Sequence, residues 1–137
     1  MAAEIARRRA DLNHDVVTLT GSQRLHRRSP CGGCPWRTDQ NGSFPAEAFR
    51  LSAPTAYDMA DRAFGCHEAS HDHPLTCAGF LLRGADHNFA IRLAAARGDI
   101  DLGAVHDGGH NLHDSYRAMS VANGVDPDDP ALRPCRP

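Results

Sequence analysis

The chain has 137 residues, enough for one domain with flanking segments; 41% are hydrophobic, only 6% are aromatic, and mean hydropathy is −0.48. All 15 basic residues are arginine, and they are unevenly placed: residues 1–30 carry six against Glu4, Asp11 and Asp15, whereas residues 31–137 carry nine against fourteen acids. This excludes a body that binds nucleic acid by charge alone, and no apolar stretch approaches the ~20 residues of a membrane span.

Residues 2–11 combine helix formers with the Arg7-Arg8-Arg9 run and offer little apolar surface, so a frayed helix or an arm is expected. Residues 15–19 (Asp-Val-Val-Thr-Leu) have the composition of a short strand. Residues 23–30, with Arg24, Arg27 and Arg28, read as a solvated leader. Together residues 1–29 form a basic N-terminal arm, the segment expected to contact a protein or nucleic-acid partner. No apolar run of roughly 7–15 residues follows the first arginines, so no export leader is read and a cytoplasmic setting is expected.

The next stretch is Cys31-Gly32-Gly33-Cys34-Pro35-Trp36-Arg37, whose glycines offer backbone freedom for a tight turn between two thiols. Residues 38–42 are turn-like. Pro45 opens a helix continuing through Phe49 to Leu51, and Pro54 starts a second helical stretch in which Tyr57, Ala60, Ala63 and Phe64 recur at helical spacing. Gly65 ends it and delivers Cys66 and His67. After a polar loop, residues 77–82 read as a short buried helix. The strongest helix spans residues 86–97, with Asp86 as N-cap and Gly98 as stop. Residues 99–113 are irregular and hold His106, His110 and His113, which read as surface-loop histidines. A last short helix begins at residues 114–119 and ends at Asn123-Gly124, and residues 125–137 form a Pro/Asp-rich tail with Cys135 as an unligated thiol. The expected fold is mainly α: a small, irregular, metal-stabilised domain of short helices and long loops over residues 30–124.

Four sulfurs within 47 residues, Cys31, Cys34, Cys66 and Cys77, are the donor set that a tetrahedral ion or an iron–sulfur cluster requires. Cytosolic thiols stay reduced and five cysteines do not pair evenly, so metal ligation is the better use of four of them. Pro35 directly after a thiol, and Trp36 as a shield from water, place a [4Fe–4S] cluster slightly ahead of zinc; His67 beside Cys66 offers a Cys3His zinc alternative. Trp36 and Arg37 are expected to surround the centre.

The pattern Cys31, Cys34, Pro35, Trp36, Arg37, then Phe64, Cys66, His67, then Cys77, Ala78, Gly79, Phe80, then His87, Asn88, Arg92 resembles a family of small uncharacterised bacterial and phage proteins. The resemblance covers about residues 30–124 and implies that the four cysteines act as a set, leaving the metal open. His67-Glu68-Ala69-Ser70-His71 matches the zinc-protease pattern, but Gly65, Ser70 and Pro74 oppose the long helix that it needs. Glu68 is the chain's last glutamate, which removes a downstream third Glu ligand. Glu68 and His71 are expected on an exposed loop with side chains splayed apart. The function expected is a non-enzymatic regulatory or interaction module carrying a [4Fe–4S] centre. The alternatives are a structural zinc module, a redox or electron-transfer accessory enzyme, and a dithiol oxidoreductase using Cys31 and Cys34.

Overall fold

The computed structural model describes residues 4–21, 25–68 and 74–137. Strands β1 (Glu4–Arg9), β2 (Asp15–Thr20) and β3 (Ala63–Phe64) form one antiparallel sheet in the order β1-β2-β3. Among the described residues four short helices accompany it: α1 (Ala46–Ser52), α2 (Ala78–Arg83), α3 (Phe89–Ala96) and α4 (Tyr116–Ala122). The expectation of a mainly α fold is therefore corrected to a mixed α/β one. No helix among the described residues is long and apolar enough to cross a membrane.

Two segments account for the correction. Residues 4–9 pair in register with residues 15–20, Ile5 opposite Leu19 and Arg9 opposite Asp15, so the arginine run lies on a strand and not on a helix. The hairpin has a purpose in the fold: Val16, Thr18 and Leu19 are buried in the core, and β2 packs against α1. The second segment is 57–64. Its helical spacing is imitated but not used: residues 53–56 form one 3-10 turn, Met59 takes a left-handed φ of 61°, and Ala63 and Phe64 then pair with Leu19 and Thr18. A left-handed non-glycine residue interrupts an α-helix, and the sheet offers these residues the pairing that the helix would have provided.

The other helices follow their local signals. Asn88, not Asp86, caps α3: its side-chain oxygen accepts from Ile91 N at 3.0 Å while its amide donates to the carbonyls of Thr55 (2.9 Å) and Arg62 (2.7 Å). Ser115 caps α4 by accepting from Ala118 N at 3.0 Å. Residues 125–137, read from composition as a tail, lie against the body. Val125, Leu132 and Cys135 are buried, and Arg117 donates to the carbonyls of Leu132 (2.6 Å) and Cys135 (2.8 Å). Arg136 grips Asp58 with two bonds of 2.9 Å.

The centre of the core is Trp36, with no exposed surface. It meets Phe64 and Tyr116 edge to face at 5.9 and 5.8 Å and lies 6.4 Å from Phe80. Helix α2 crosses it so closely that a Cβ on Gly79 would stand 2.5 Å from Trp36 Cβ, and one on Gly84 would stand 2.5 Å from Trp36 Cη2. Both glycines are therefore required by the indole that lies between them. Trp36 is the hub of the aromatic core, and this places Cys34, two residues earlier, at the edge of that core.

Candidate metal centre

Three backbone segments converge to build the site. The first is the turn of residues 31–37, closed by Cys34 N donating to Cys31 O at 3.2 Å and Arg37 N donating to Cys34 O at 3.1 Å. Neither Gly32 nor Gly33 takes a positive φ, so the turn does not depend on glycine backbone freedom. Gly33 matters for space: a Cβ there would lie 3.1 Å from His67 Nε2. The second and third segments are a short ladder in which Cys66 N donates to Leu75 O (2.8 Å) and Cys77 N donates to Phe64 O (2.9 Å). Residues 25–27 run beside that ladder, with Thr76 N donating to Leu25 O and Arg27 N to Thr76 O.

The four cysteines expected as ligands are all buried. Cys34 Sγ and Cys77 Sγ are 3.7 Å apart, and Cys31 lies close enough to Cys34 and Cys66 for both to influence its thiol. The backbone N–H groups of Trp36 and Glu68, each two residues after a cysteine, pull Cys34 and Cys66 toward the ionised form. Such donors favour a thiolate over a thiol. Cys135 lies elsewhere, its sulfur 4.0 Å from Ala53 O.

With their protons on, the thiols are held up. Hydrogen bonding to Cys34 pushes Cys31 up to about 12, reinforced by burial and opposed by the bond with Cys66. At Cys34 the Cys31 bond pulls downward, but the bond to Cys77, burial and the charge of Cys77 outweigh it, and the thiol is raised. Cys66 is raised by its bond to Cys31 and by burial, against the pull of Arg27. Deprotonating this group of thiols without a cation is thus unfavourable, whereas a soft or borderline ion supplies the missing positive charge.

Around the sulfurs the structure places residues of two kinds. Arg37, expected near the centre, binds the turn and not a sulfur: its Nη1 donates to Gly32 O (3.0 Å) and Cys31 O (3.4 Å), and its other nitrogens hold Asp39 at 2.9 and 2.6 Å. His67, half-buried, turns Nδ1 toward Cys31 Sγ at 4.0 Å, and Phe44 stands edge-on to its ring at 5.0 Å. Burial holds its pKa below the ordinary value. Two residues were missed by sequence reasoning. Arg27 Nε donates to Cys66 Sγ at 2.9 Å, so this arginine of the supposed leader belongs to the centre. Glu68, expected to splay into solvent, is exposed, but one of its carboxylate oxygens lies within 4.8 Å of the Cys31 sulfur, whose influence lowers its pKa. His71 lies outside the described residues.

His106, His110 and His113 do not join the centre. His113 Nε2 meets Asn41 Oδ1 at 2.8 Å, and His106 Nδ1 accepts from Gly108 N at 3.2 Å.

Comparison with known proteins gives one family. Residues 26–136 match the model of a family of unknown function (DUF6283). No curated protein matches, and no solved structure matches. The matched region begins after the β1–β2 hairpin and runs through the docked C-terminal segment.

Proposed function

The chain belongs to the DUF6283 family, whose function is unknown, and from that premise we propose that Cys31, Cys34, Cys66 and Cys77 hold a single divalent ion, zinc, as the structural element of a small regulatory or interaction module. One observation carries the choice of a single ion. A tetrahedron with metal–sulfur bonds of about 2.3 Å has edges of about 3.8 Å. The 3.7 Å between Cys34 and Cys77, one of the six edges, has this length, and the ion would draw the other thiols in to it. In a cubane each cysteine sulfur sits on a different iron, and the intervening iron and sulfide atoms hold the sulfurs farther apart. The Arg27 donor, 2.9 Å from the Cys66 sulfur, supports a thiolate there.

A [4Fe–4S] centre is the second reading. What favours it is Pro35 directly after Cys34 and the apolar wall formed by buried Trp36. In either case the ion's binding free energy is folding free energy, so loss of the centre would loosen the fold and report metal or redox state to a partner. Partner contact is proposed through the basic arm, whose Arg8 and Arg9 are exposed on the outer strand of the sheet. Aerobic and anaerobic purification followed by metal analysis and an absorption spectrum tests the choice. A colourless protein with bound zinc supports the first reading. Broad visible absorption, with iron and acid-labile sulfide, supports the second. Metal-free protein with four titratable thiols at the site refutes both.

A further inference from the structure

Glu68 occupies a position that a closed four-sulfur centre does not require. One of its oxygens, the Cys31 sulfur and a ring nitrogen of His67 lie within 4.8 Å of one another. The imidazole turns Nδ1 toward Cys31, with Phe44 edge-on to the ring and Gly33 leaving room beside Nε2. Sulfur, nitrogen and oxygen donors thus converge at Cys31, beside exposed Glu68, while Cys34 and Cys77 stand together in the buried part of the site.

The chemistry of the inner ion makes this convergence informative. A cysteine that ligates a metal does so as the thiolate, so a ligated Cys31 adds negative charge within 4.8 Å of the Glu68 carboxylate. Two anions then face each other beside a nitrogen lone pair. The nearby guanidinium groups have other partners: Arg27 donates to Cys66, and Arg37 is paired with Asp39. Four thiolates and one carboxylate exceed the charge of one divalent ion, and the excess is concentrated at the Cys31–Glu68 contact. A second cation there turns the repulsion into ligation.

We propose that Cys31, His67 and Glu68 form a second divalent-cation site at the mouth of the centre, sharing the Cys31 thiolate with the inner ion. The proposal rests on the reading of the four cysteines as a single-ion centre. Thiolate, imidazole and carboxylate together suit zinc. Three protein ligands leave the fourth position of this outer ion for water or a small anionic ligand, whereas the inner ion is closed.

Zinc titration of the full, reduced, chelator-stripped chain separates the two claims, with bound metal counted by native mass spectrometry. Wild type is expected to hold two zinc ions, the second released by a mild chelator at a concentration roughly tenfold or more below that needed for the first. Glu68→Gln, at an exposed position where folding is not at stake, is expected to hold one. One ion in both proteins, or two in both, overturns the outer site and leaves the inner centre standing. No tightly held ion in wild type overturns the inner centre and the outer site with it.

Discussion

Gly79→Ala adds a single methyl group at the closest approach between α2 and the core, and its effect can be worked from the geometry. The new Cβ would stand 2.5 Å from Trp36 Cβ and 2.7 Å from Trp36 Cγ, about 1 Å inside ordinary contact. Neither Cβ can be moved by a rotamer change, so α2 or the segment bearing Trp36 must shift. Trp36 is fully enclosed by Phe64, Phe80 and Tyr116, which puts the cost at the upper end of the ~1–3 kcal/mol typical of overpacking. Alanine's better helix propensity returns about 1 kcal/mol, leaving a net loss of about 2 kcal/mol. For a domain of this size that lowers Tm by roughly 6–8 °C. Because Cys34 lies two residues from Trp36, the same shift should weaken metal retention. Gly32→Ala is the control: nothing lies within 4 Å of its Cβ position and its φ is not positive, so its Tm should stay within about 2 °C of wild type. Thermal melts with and without a chelator read both effects. A Gly79→Ala variant as stable as wild type would refute the claim that Trp36 fixes the spacing.

Cys34→Ser should yield unstable, metal-depleted protein, whereas Cys135→Ser, buried but remote from the centre, should keep its metal and lose only about 1 kcal/mol; equal metal content in the two would contradict the ligand set. Asn88→Ala removes the α3 cap and strips the Thr55 and Arg62 carbonyls of a donor, for an expected loss of roughly 3 kcal/mol in urea unfolding, and a loss below 1 kcal/mol would disprove its bridging role. Asp129 accepts from Arg50 Nε at 2.8 Å, which holds its carboxyl below the ordinary 3.8. The stability this adds is present above the unfolded value and lost as pH falls through the folded one, so Asp129→Asn should be less stable than wild type at neutral pH and converge with it at the acid end. A stability gap unchanged down to the lowest pH would show that the charge is not the cause.

The parts of the fold that sequence made legible are those governed by local chemistry. Residues 77–82, apolar after the Cys77 thiol, read as a helix, and α2 runs from Ala78 to Arg83 with Cys77 as its N-cap. Gly98 takes a φ of +78° beyond α3, and Gly124 one of +98° beyond α4, as helix stops should. What sequence could not reveal is non-local. The β1 arginines carry no strand periodicity, and their pairing with β2 is visible only once the hairpin closes. Tyr57, Ala60, Ala63 and Phe64 imitate a helix because a left-handed residue at Met59 cannot be read from spacing. In the site, number and spacing suggest the four cysteines as a set, but nothing in the sequence points to Arg27 or Glu68. Arg27 reaches Cys66 only because residues 25–27 run beside Thr76, and Glu68 meets Cys31 only because the ladder of residues 64–66 and 75–77 folds back over the turn of residues 31–34. Gly33 had a signal of the wrong kind: its value is the room it leaves for His67, not its backbone freedom.

The most direct test of the central claim is substitution of the centre with Co2+, whose ligand field and sulfur-to-metal charge-transfer bands report the number of thiolates. Wild-type protein is expected to show the intense near-ultraviolet charge transfer and the visible bands of a tetrahedral four-thiolate ion, with Cys31→Ser, Cys34→Ser, Cys66→Ser and Cys77→Ser each weakening them and Cys135→Ser leaving them unchanged. A spectrum without thiolate charge transfer, or one that survives loss of Cys34 or Cys77, would contradict the account.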